Sequence, residues 1–155
     1  MALSYYDFHY AGLHCDNNKL ASLDVRNNTA LTIIYCVKNQ LKDLDVSRNT
    51  ALTYLDFGFN ELSSLDISKN TALIHLGCYR NQLTSLNVSK NTALERIDCQ
   101  SNKMSSEALN ELFRSLHSND LHKEKIIYIA NNYGTRDCDI SIAEDKNWTV
   151  NTTSL

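Results

Sequence analysis

Cysteine and histidine are the residues of this chain with the most chemistry to offer, since they ligate zinc and build nucleophilic sites. The 155 residues include five of each. Four cysteines recur at multiples of 21 residues, and Phe57 takes the one place in their column that lacks a cysteine. These four are Cys15, Cys36, Cys78 and Cys99. A place shared by Cys and Phe is apolar, and a buried free cysteine behaves as a small hydrophobe. We therefore expect buried free thiols, with a disulfide or a metal site as the alternatives.

The other reactive residues do not form a catalytic or metal-binding set. The histidines occupy unrelated positions, which are His9, His14, His75, His117 and His122. No Cys/His pair has the close spacing of a zinc site, and no glycine-rich phosphate loop occurs. Alternation along the strands directs the cysteines of the column inward, so none of them is an exposed nucleophile. The sequence predicts a protein that is not an enzyme and that binds neither a cofactor nor a metal.

A column of carboxylates is the second candidate for chemistry. It contains Asp24, Asp45 and Asp66, with Asn87 in the fourth place. Stacked carboxylates suggest a calcium site, but calcium-binding β-rolls need glycine-rich turns, and this chain has only four glycines. We expect each Asp to accept backbone N–H bonds at its own turn, which offsets the repulsion between like charges.

These columns all belong to one repeat of 21 residues. Its apolar columns include Leu20, Leu41, Leu62, Leu83 and Met104, and Leu13, Ile34, Leu55, Leu76 and Ile97. Self-similarity at a fixed period of this length predicts a solenoid. A further column consists of Asn18, Asn39, Asn60, Asn81 and Asn102. We expect these amides to form an asparagine ladder, because they can satisfy backbone groups that would otherwise be buried without a partner.

Each coil divides into a strand and a return side. In residues 33–37, alternation places Ile34 and Cys36 on one face and the other three side chains on the opposite face. The equivalent segments 12–16, 54–58, 75–79 and 96–100 would stack as parallel strands. The return half is too short for an α-helix, so we expect extended or 3₁₀ conformation there.

The two ends of the chain depart from the repeat. We divide the chain into residues 1–12, a degenerate N-terminal coil or aromatic cap; residues 13–103, the repeats; residues 104–150, a C-terminal capping region; and residues 151–155, a tail. In the capping region we predict a helix with Ser105 as N-cap, a strand, a short helix from Asp137 to about Asp145, and Trp148 as a lid.

The repeat unit LSSLDISKNTALIHLGCYRNQ of residues 62–82 resembles the repeats of bacterial leucine-rich-repeat proteins of the internalin-like class. The segments 108–113, 127–129, 138–139 and 147–150 resemble their C-terminal cap. The resemblance covers about residues 13–150 and implies an α/β solenoid. This is a right-handed coil with one parallel concave sheet, an extended or 3₁₀ convex side and a helical C-terminal cap.

The resemblance also implies a secreted or cell-surface protein that binds other macromolecules through its concave sheet. The N-terminal residues lack the pattern of a signal peptide, so a cytoplasmic location is the alternative. The formal charge of −3 argues against a nucleic-acid partner. Without an apolar run of 18 residues we expect no membrane insertion, and we expect a monomer.

The outward strand positions and the positions that follow them carry an apolar and aromatic set. The candidate partner-binding residues are Ile33, Tyr35, Val37, Tyr54, Phe59, His75, Tyr79, Arg80 and Arg96. Exposed aromatic clusters mark interaction sites, although strands favour such residues for sheet stability as well. Glycines at 58 and 77 predict a shallow hollow between the rings. The functional prediction is a protein-binding module, and the alternative is a structural spacer within a larger surface protein.

Overall fold

A computed structural model of the chain describes residues 6–7, 10–119 and 123–153. Its main element is one sheet in which eight strands of the described residues lie side by side in chain order. The strands are β1 (Tyr6–Asp7), β2 (Tyr10–His14), β3 (Ile33–Tyr35), β4 (Tyr54–Asp56), β5 (His75–Gly77), β6 (Arg96–Asp98), β7 (Lys125–Tyr128) and β8 (Trp148–Asn151). β1 pairs antiparallel with β2, and every later pair is parallel. Most of the predicted segment 1–12 lies outside the described residues.

The coils stack in the register that the 21-residue period predicts. Ile34 pairs with Leu55, which in turn pairs with Leu76 in the next coil. Hydrogen bonds continue beyond the short strands, since the Cys36 N–H donates to the Asp56 carbonyl and the Lys38 N–H to the Gly58 carbonyl, both at 2.9 Å. The predicted five-residue strand segments are therefore hydrogen-bonded along their length. The prediction of an α/β solenoid with a parallel concave sheet is confirmed.

The inward side chains form one continuous core along the coil axis. Leu41, Leu62 and Leu83 are fully buried, as are the equivalent apolar residues of the strand columns. The convex side consists of extended chain and four-residue turns. In one of these turns the Asn49 N–H donates to the Val46 carbonyl at 3.0 Å. Residues 10–105 contain no helix, so each of their coils is thin, which lets a 21-residue repeat close.

The asparagine column forms the expected ladder. In its central member, Nδ2 of Asn60 donates to the carbonyls of Cys36 (3.0 Å) and Phe57 (2.9 Å). Oδ1 of Asn60 accepts the Leu41 N–H at 3.0 Å. The amides of Asn39, Asn60, Asn81 and Asn102 thus join their own coil to the preceding one, which satisfies backbone groups inside the turn.

The residue before each ladder asparagine has a positive φ. This column consists of Asn17, Lys38, Phe59, Arg80, Ser101 and Asn131, with φ between 51° and 58°. Side chains other than Gly rarely adopt this region. Because all six coils share the conformation, it is a property of the turn that follows the strand. It also determines that Lys38, Phe59 and Arg80 project from one rim of the sheet.

The C-terminal segment contains two helices, α1 (Ser106–Ser115) and α2 (Ser141–Glu144), in addition to β7 and β8. Ser105 is the N-cap of α1, as predicted, and its Oγ accepts the Ala108 N–H at 3.2 Å. Trp148 is 2% exposed and donates its indole N–H to the His117 carbonyl at 2.9 Å. This tryptophan therefore lies in the core with its polar edge satisfied.

Two predictions for the C-terminal segment are wrong in detail. The second helix begins at Ser141 and does not begin after Asp137, because the Asp137 N–H donates to the Gly134 carbonyl in a turn at 3.1 Å. The carboxylate that binds the N–H of Ser141 is that of Asp139, at 3.1 Å. In addition, β8 extends through Asn151, one residue into the predicted tail.

Candidate functional site on the concave sheet

The register of the sheet assembles the outward side chains into columns. Ile33, Tyr54, His75 and Arg96 are consecutive partners in one column, and His14, Tyr35, Asp56, Gly77 and Asp98 in the next. Val37 and Tyr79 follow on the same face, and Phe59 and Arg80 lie on the adjacent rim. The nine predicted partner-binding residues therefore share one side of the solenoid.

Six of these nine residues line a single depression of about 690 Å³. They are Tyr54, Phe59, His75, Tyr79, Arg80 and Arg96. Ile33, Tyr35 and Val37 lie on the neighbouring coil, outside its lining, although they are the most apolar of the outward sets. The depression spans the coils of β4, β5 and β6, so its centre is displaced from the coil of β3 that the sequence indicated.

Four aromatic rings stack across four neighbouring strands. Ring centroids lie 4.8 Å apart for His14 and Tyr35, 4.8 Å for Tyr35 and Tyr54, and 4.1 Å for Tyr54 and His75. The last pair is nearly parallel, with an interplanar angle of 3°. Stacking at these distances uses the ring faces within the sheet. The ring edges and hydroxyl groups are consequently what the row offers to a partner.

A second aromatic group lies at the rim. Phe59 meets Tyr79 edge to face with centroids 5.6 Å apart, and it is 38% exposed. The Arg80 guanidinium lies 4.9 Å and the Lys38 ammonium 5.7 Å from the Phe59 ring centroid. Cations at this distance from a ring are attracted to its face. The rim is thus an exposed apolar ring held between two cations.

The predicted hollow at the two glycines is filled by neighbouring side chains. A Cβ at Gly58 would lie 2.3 Å from Cζ of Tyr79, and a Cβ at Gly77 would lie 2.6 Å from Cγ of Asp56. The Tyr79 ring therefore lies over Gly58, and the Asp56 carboxylate lies over Gly77. The glycines act by permitting this close approach, so the space directly above them is occupied, and the depression lies between the rings of Tyr54, His75 and Tyr79.

Two carboxylates that sequence reasoning did not select belong to the depression. Asp56 and Asp98 line it, and Asp98 is 8% exposed. Burial raises the pKa of Asp56 to about 6, with the charges of Asp98 and Asp16 adding to the effect and a hydrogen bond from the Gly58 N–H opposing it. Burial likewise raises the pKa of Asp98. Their outward positions in the strands could have indicated them as site residues. They were not selected because carboxylates at exposed strand positions are usually solvated.

His75 is uncharged at neutral pH. Burial, helped by the nearby positive charge of Arg96, lowers its pKa to about 4. Arg96 itself turns away along the sheet, with its guanidinium 4.5 Å from the Tyr128 ring centroid and 3.2 Å from the Tyr128 hydroxyl oxygen. The site therefore combines neutral aromatic groups with two carboxylates that form no ion pair within the described residues, although the charge of Arg96 lowers the pKa of Asp98 against the effect of burial.

The cysteine column is structural. Cys36, Cys78 and Cys99 are fully buried, and all five cysteines are free thiols. Burial raises the pKa of the Cys78 and Cys99 thiols well above the ordinary value. A thiol of this kind is a poor nucleophile at neutral pH. The expectation of buried free thiols is confirmed.

The convex carboxylates bind backbone groups at their turns. Oδ1 of Asp24, Asp45 and Asp66 accepts the N–H two residues further on at 2.9–3.1 Å. Asp24 also forms a 2.9 Å ion pair with Arg26, which lowers its pKa to about 2. Within the described ranges no group of three or more His, Cys, Asp or Glu side chains could hold a metal ion. In the same ranges, no helix has the length and apolar character needed to cross a membrane.

Two solved structures share this architecture. One is the functional domain of InlJ from Listeria monocytogenes, which is described as including a cysteine ladder, with 25% identity and a TM-score of 0.53 over 93% of this chain and 45% of that chain. The other is the internalin InlF from Listeria monocytogenes, with 18% identity and a TM-score of 0.75 over 95% of this chain and 42% of that chain. This chain has the leucine-rich-repeat fold of the internalins. It spans less than half the length of both relatives.

No protein-family model and no curated protein matches the internalin-like chain at a significant level. The regular repeat columns of this chain are consistent with that fold. Four of its repeats have a buried cysteine at the same core position.

Proposed function

We propose that this chain is a non-enzymatic protein-binding module and that its concave sheet recognises a macromolecular partner. The observation that carries the proposal is the depression that Tyr54, Phe59, Tyr79, Arg80 and Arg96 line together with two carboxylates. Tyrosine and arginine are the residues most often found at the energetic centre of protein interfaces. A sheet that needed aromatic residues for stability alone would not require charged groups beside them.

The geometry favours a protein partner over a sugar. Sugars that bind aromatic residues lie on a ring face, but the faces in the row from His14 to His75 are used for stacking. The depression instead presents hydroxyl groups, ring edges, guanidinium groups and carboxylates. These groups suit the mixed polar and apolar surface of a protein. By the same fold resemblance we propose that the protein acts at the cell surface or in secreted form.

A capture experiment with a matched control tests this proposal. The native chain, the Tyr35→Ala/Tyr79→Ala variant and a Tyr133→Ala control would be immobilised and exposed to the same cell-surface protein extract. Tyr133 is 74% exposed and does not line the depression. We expect proteins captured by the native chain and the control to be lost from the double variant, while its melting temperature falls by only a few degrees.

An unchanged set of captured proteins with the double variant would contradict the concave-face proposal and favour the spacer alternative. Unfolding of the double variant would instead show that the rings serve to hold the sheet. A single Phe59→Ala variant then provides the second comparison, because Phe59 lies at the exposed rim and is outside the stacked row.

A further inference from the structure

The centre of the depression contains two carboxylates on either side of a glycine. Asp56, Gly77 and Asp98 are consecutive partners across β4, β5 and β6. The Asp56 carboxylate leans over Gly77 toward Asp98, since a Cβ at Gly77 would lie 2.6 Å from its Cγ. The Asp56 carboxylate therefore occupies the space above Gly77, which brings its negative charge toward the strand that carries Asp98. Repulsion between the two carboxylates contributes to the raised pKa of Asp56.

The described cations of the concave face form no ion pair with these carboxylates, although the charge of Arg96 acts on Asp98 and lowers its pKa against the effect of burial. The Arg80 guanidinium lies on the Phe59 ring, and the Arg96 guanidinium lies on the Tyr128 ring. None of the three ion pairs formed by the described residues includes Asp56 or Asp98. Partly buried carboxylates without a cation are costly to the free protein. They become favourable when a partner supplies the positive charge.

The hydrogen bonds of the two carboxylates leave acceptor capacity toward the depression. Oδ1 of Asp56 accepts the Gly58 N–H at 3.0 Å, and among the described residues Oδ2 accepts no bond. Asp98 accepts two long bonds from Gln100, at 3.3 Å to the backbone N and 3.2 Å to Nε2. An ionised carboxylate offers about four lone-pair sites, so both groups can accept further donors.

Resting on the proposed function, we propose that this site binds the guanidinium or ammonium group of a basic side chain of the partner protein, placed against the Asp56 carboxylate on the side that faces Asp98. The His75 ring with its stacked neighbour Tyr54, and the Tyr79 ring, border the site and can cover the aliphatic part of that side chain. A guanidinium fits best, because its planar fork can donate to both carboxylates at once. Within the described residues no group of three metal-ligating side chains exists, which favours an organic cation over a metal ion.

A displayed library of random peptides, selected on the immobilised chain, tests the inference without knowledge of the natural partner. Individual selected peptides would then be measured on the native chain, on Asp56→Asn and on Asp66→Asn. Asp66 is an exposed convex residue, so its variant has the same charge change at a distance from the site. We expect enrichment of arginine or lysine and affinities about tenfold or more weaker on Asp56→Asn, since the buried charge pair is lost. On Asp66→Asn we expect affinities within about twofold of the native value.

The inference is overturned if the selected peptides lack basic residues, if Asp56→Asn binds them as tightly as the native chain does, or if Asp66→Asn weakens them equally. A failure of this kind is separate from a failure of the proposed function. If peptides bind Asp56→Asn as tightly as the native chain but no longer bind Tyr79→Ala, the concave face remains the binding surface. Only the proposed site for a basic side chain is then refuted. If no selected peptide is sensitive to either variant, both proposals fall.

Discussion

Replacing Asp56 by Asn should stabilise the protein while it weakens partner binding. Asn has nearly the same shape, and its Oδ1 can accept the same Gly58 N–H bond that Asp56 accepts at 3.0 Å. The substitution removes a charge that burial and two neighbouring carboxylates, Asp98 and Asp16, make unfavourable in the folded chain. A stabilising change that abolishes function is typical of a binding site, because such sites hold groups for a partner at a cost to the free protein.

The size of the effect follows from the pKa of Asp56. Its rise from the ordinary 3.8 to about 6 is worth about 3 kcal/mol at full strength. The carboxylate is partly open to solvent, so we discount this by about half, to about 1.5 kcal/mol. For a chain of this length, that increase in the free energy of unfolding raises the melting temperature by about 3 to 6 °C.

The sign of the pH dependence is fixed by the direction of the shift. Between 3.8 and about 6 the folded chain holds a proton on Asp56 that the unfolded chain has released. The native free energy of unfolding therefore falls as pH rises through this window, and the penalty is complete above pH 6. His75, with a pKa of about 4, stays neutral across the upper part of the window.

Urea unfolding of the native chain and Asp56→Asn, followed by circular dichroism, measures the difference directly. We expect the variant to be more stable by about 1.5 kcal/mol at neutral pH and equal to the native chain near pH 4. Asp66→Asn is the control, because its carboxylate has a lowered pKa through bonds from Ser68, so its loss should not stabilise the chain. A destabilised Asp56→Asn at neutral pH, or a difference that does not change with pH, would refute the reasoning.

Four further predictions concern the coil and its C-terminal segment. Asn60→Ala should lower the free energy of unfolding in urea by about 3 kcal/mol or more, because it leaves buried backbone groups of two coils without hydrogen-bond partners. Asn18→Ala, at the exposed end of the ladder, should lower it by under about 1 kcal/mol. Phe57→Cys should lower stability by about 3 kcal/mol because it leaves a cavity in the filled column; a neutral change would contradict the packing. Lys146→Met should cost about 1 to 2 kcal/mol through loss of bonds at the end of α1; unchanged thermal unfolding would argue against it. A thiol reagent should label Cys138 first in the native protein, because the other four thiols are buried; equal labelling rates would show an open column.

The periodic part of the structure could be read from the sequence because each column repeats one physical requirement. A core position needs an apolar side chain of suitable volume in every coil, which explains Cys36, Phe57 and Cys78 in one column. A ladder position needs an amide that can both donate and accept, which explains Asn39 and Asn60. Register followed from the period for β2 to β6, since one repeat length of 21 residues separates their paired residues.

The candidate site was only partly predictable, because its centre depends on side chains that lean across coils. Spacing places Asp56 and Gly77 in one column, but it does not show that the carboxylate lies over the glycine. The direction of Arg96 toward Tyr128 is equally invisible, since residue 128 lies beyond the regular repeats. The apolar outward residues of the coil at Ile33 were selected because hydrophobicity can be read from a sequence. The lack of an ion-pair partner for a carboxylate can be recognised only in the structure.

The C-terminal segment shows the same limit. Lys146 donates to the carbonyls of Phe113, Arg114 and Leu116 at 3.2, 2.5 and 2.8 Å and so satisfies the end of α1 from a distant part of the chain. Burial lowers the pKa of this lysine. Local rules find an N-cap such as Ser105, because the bonded groups are close in sequence. They cannot find a cap that arrives more than 30 residues later.

Hydroxyl-radical footprinting of the chain alone and in complex with a captured partner tests the central claim most directly. Phe59 and Tyr79 report on the concave face, and Tyr133, which is 74% exposed, reports on a surface outside the depression. If the concave sheet is the binding surface, the oxidation rates of Phe59 and Tyr79 fall in the complex while that of Tyr133 is unchanged. Unchanged oxidation of Phe59 and Tyr79 in a stable complex would contradict the account.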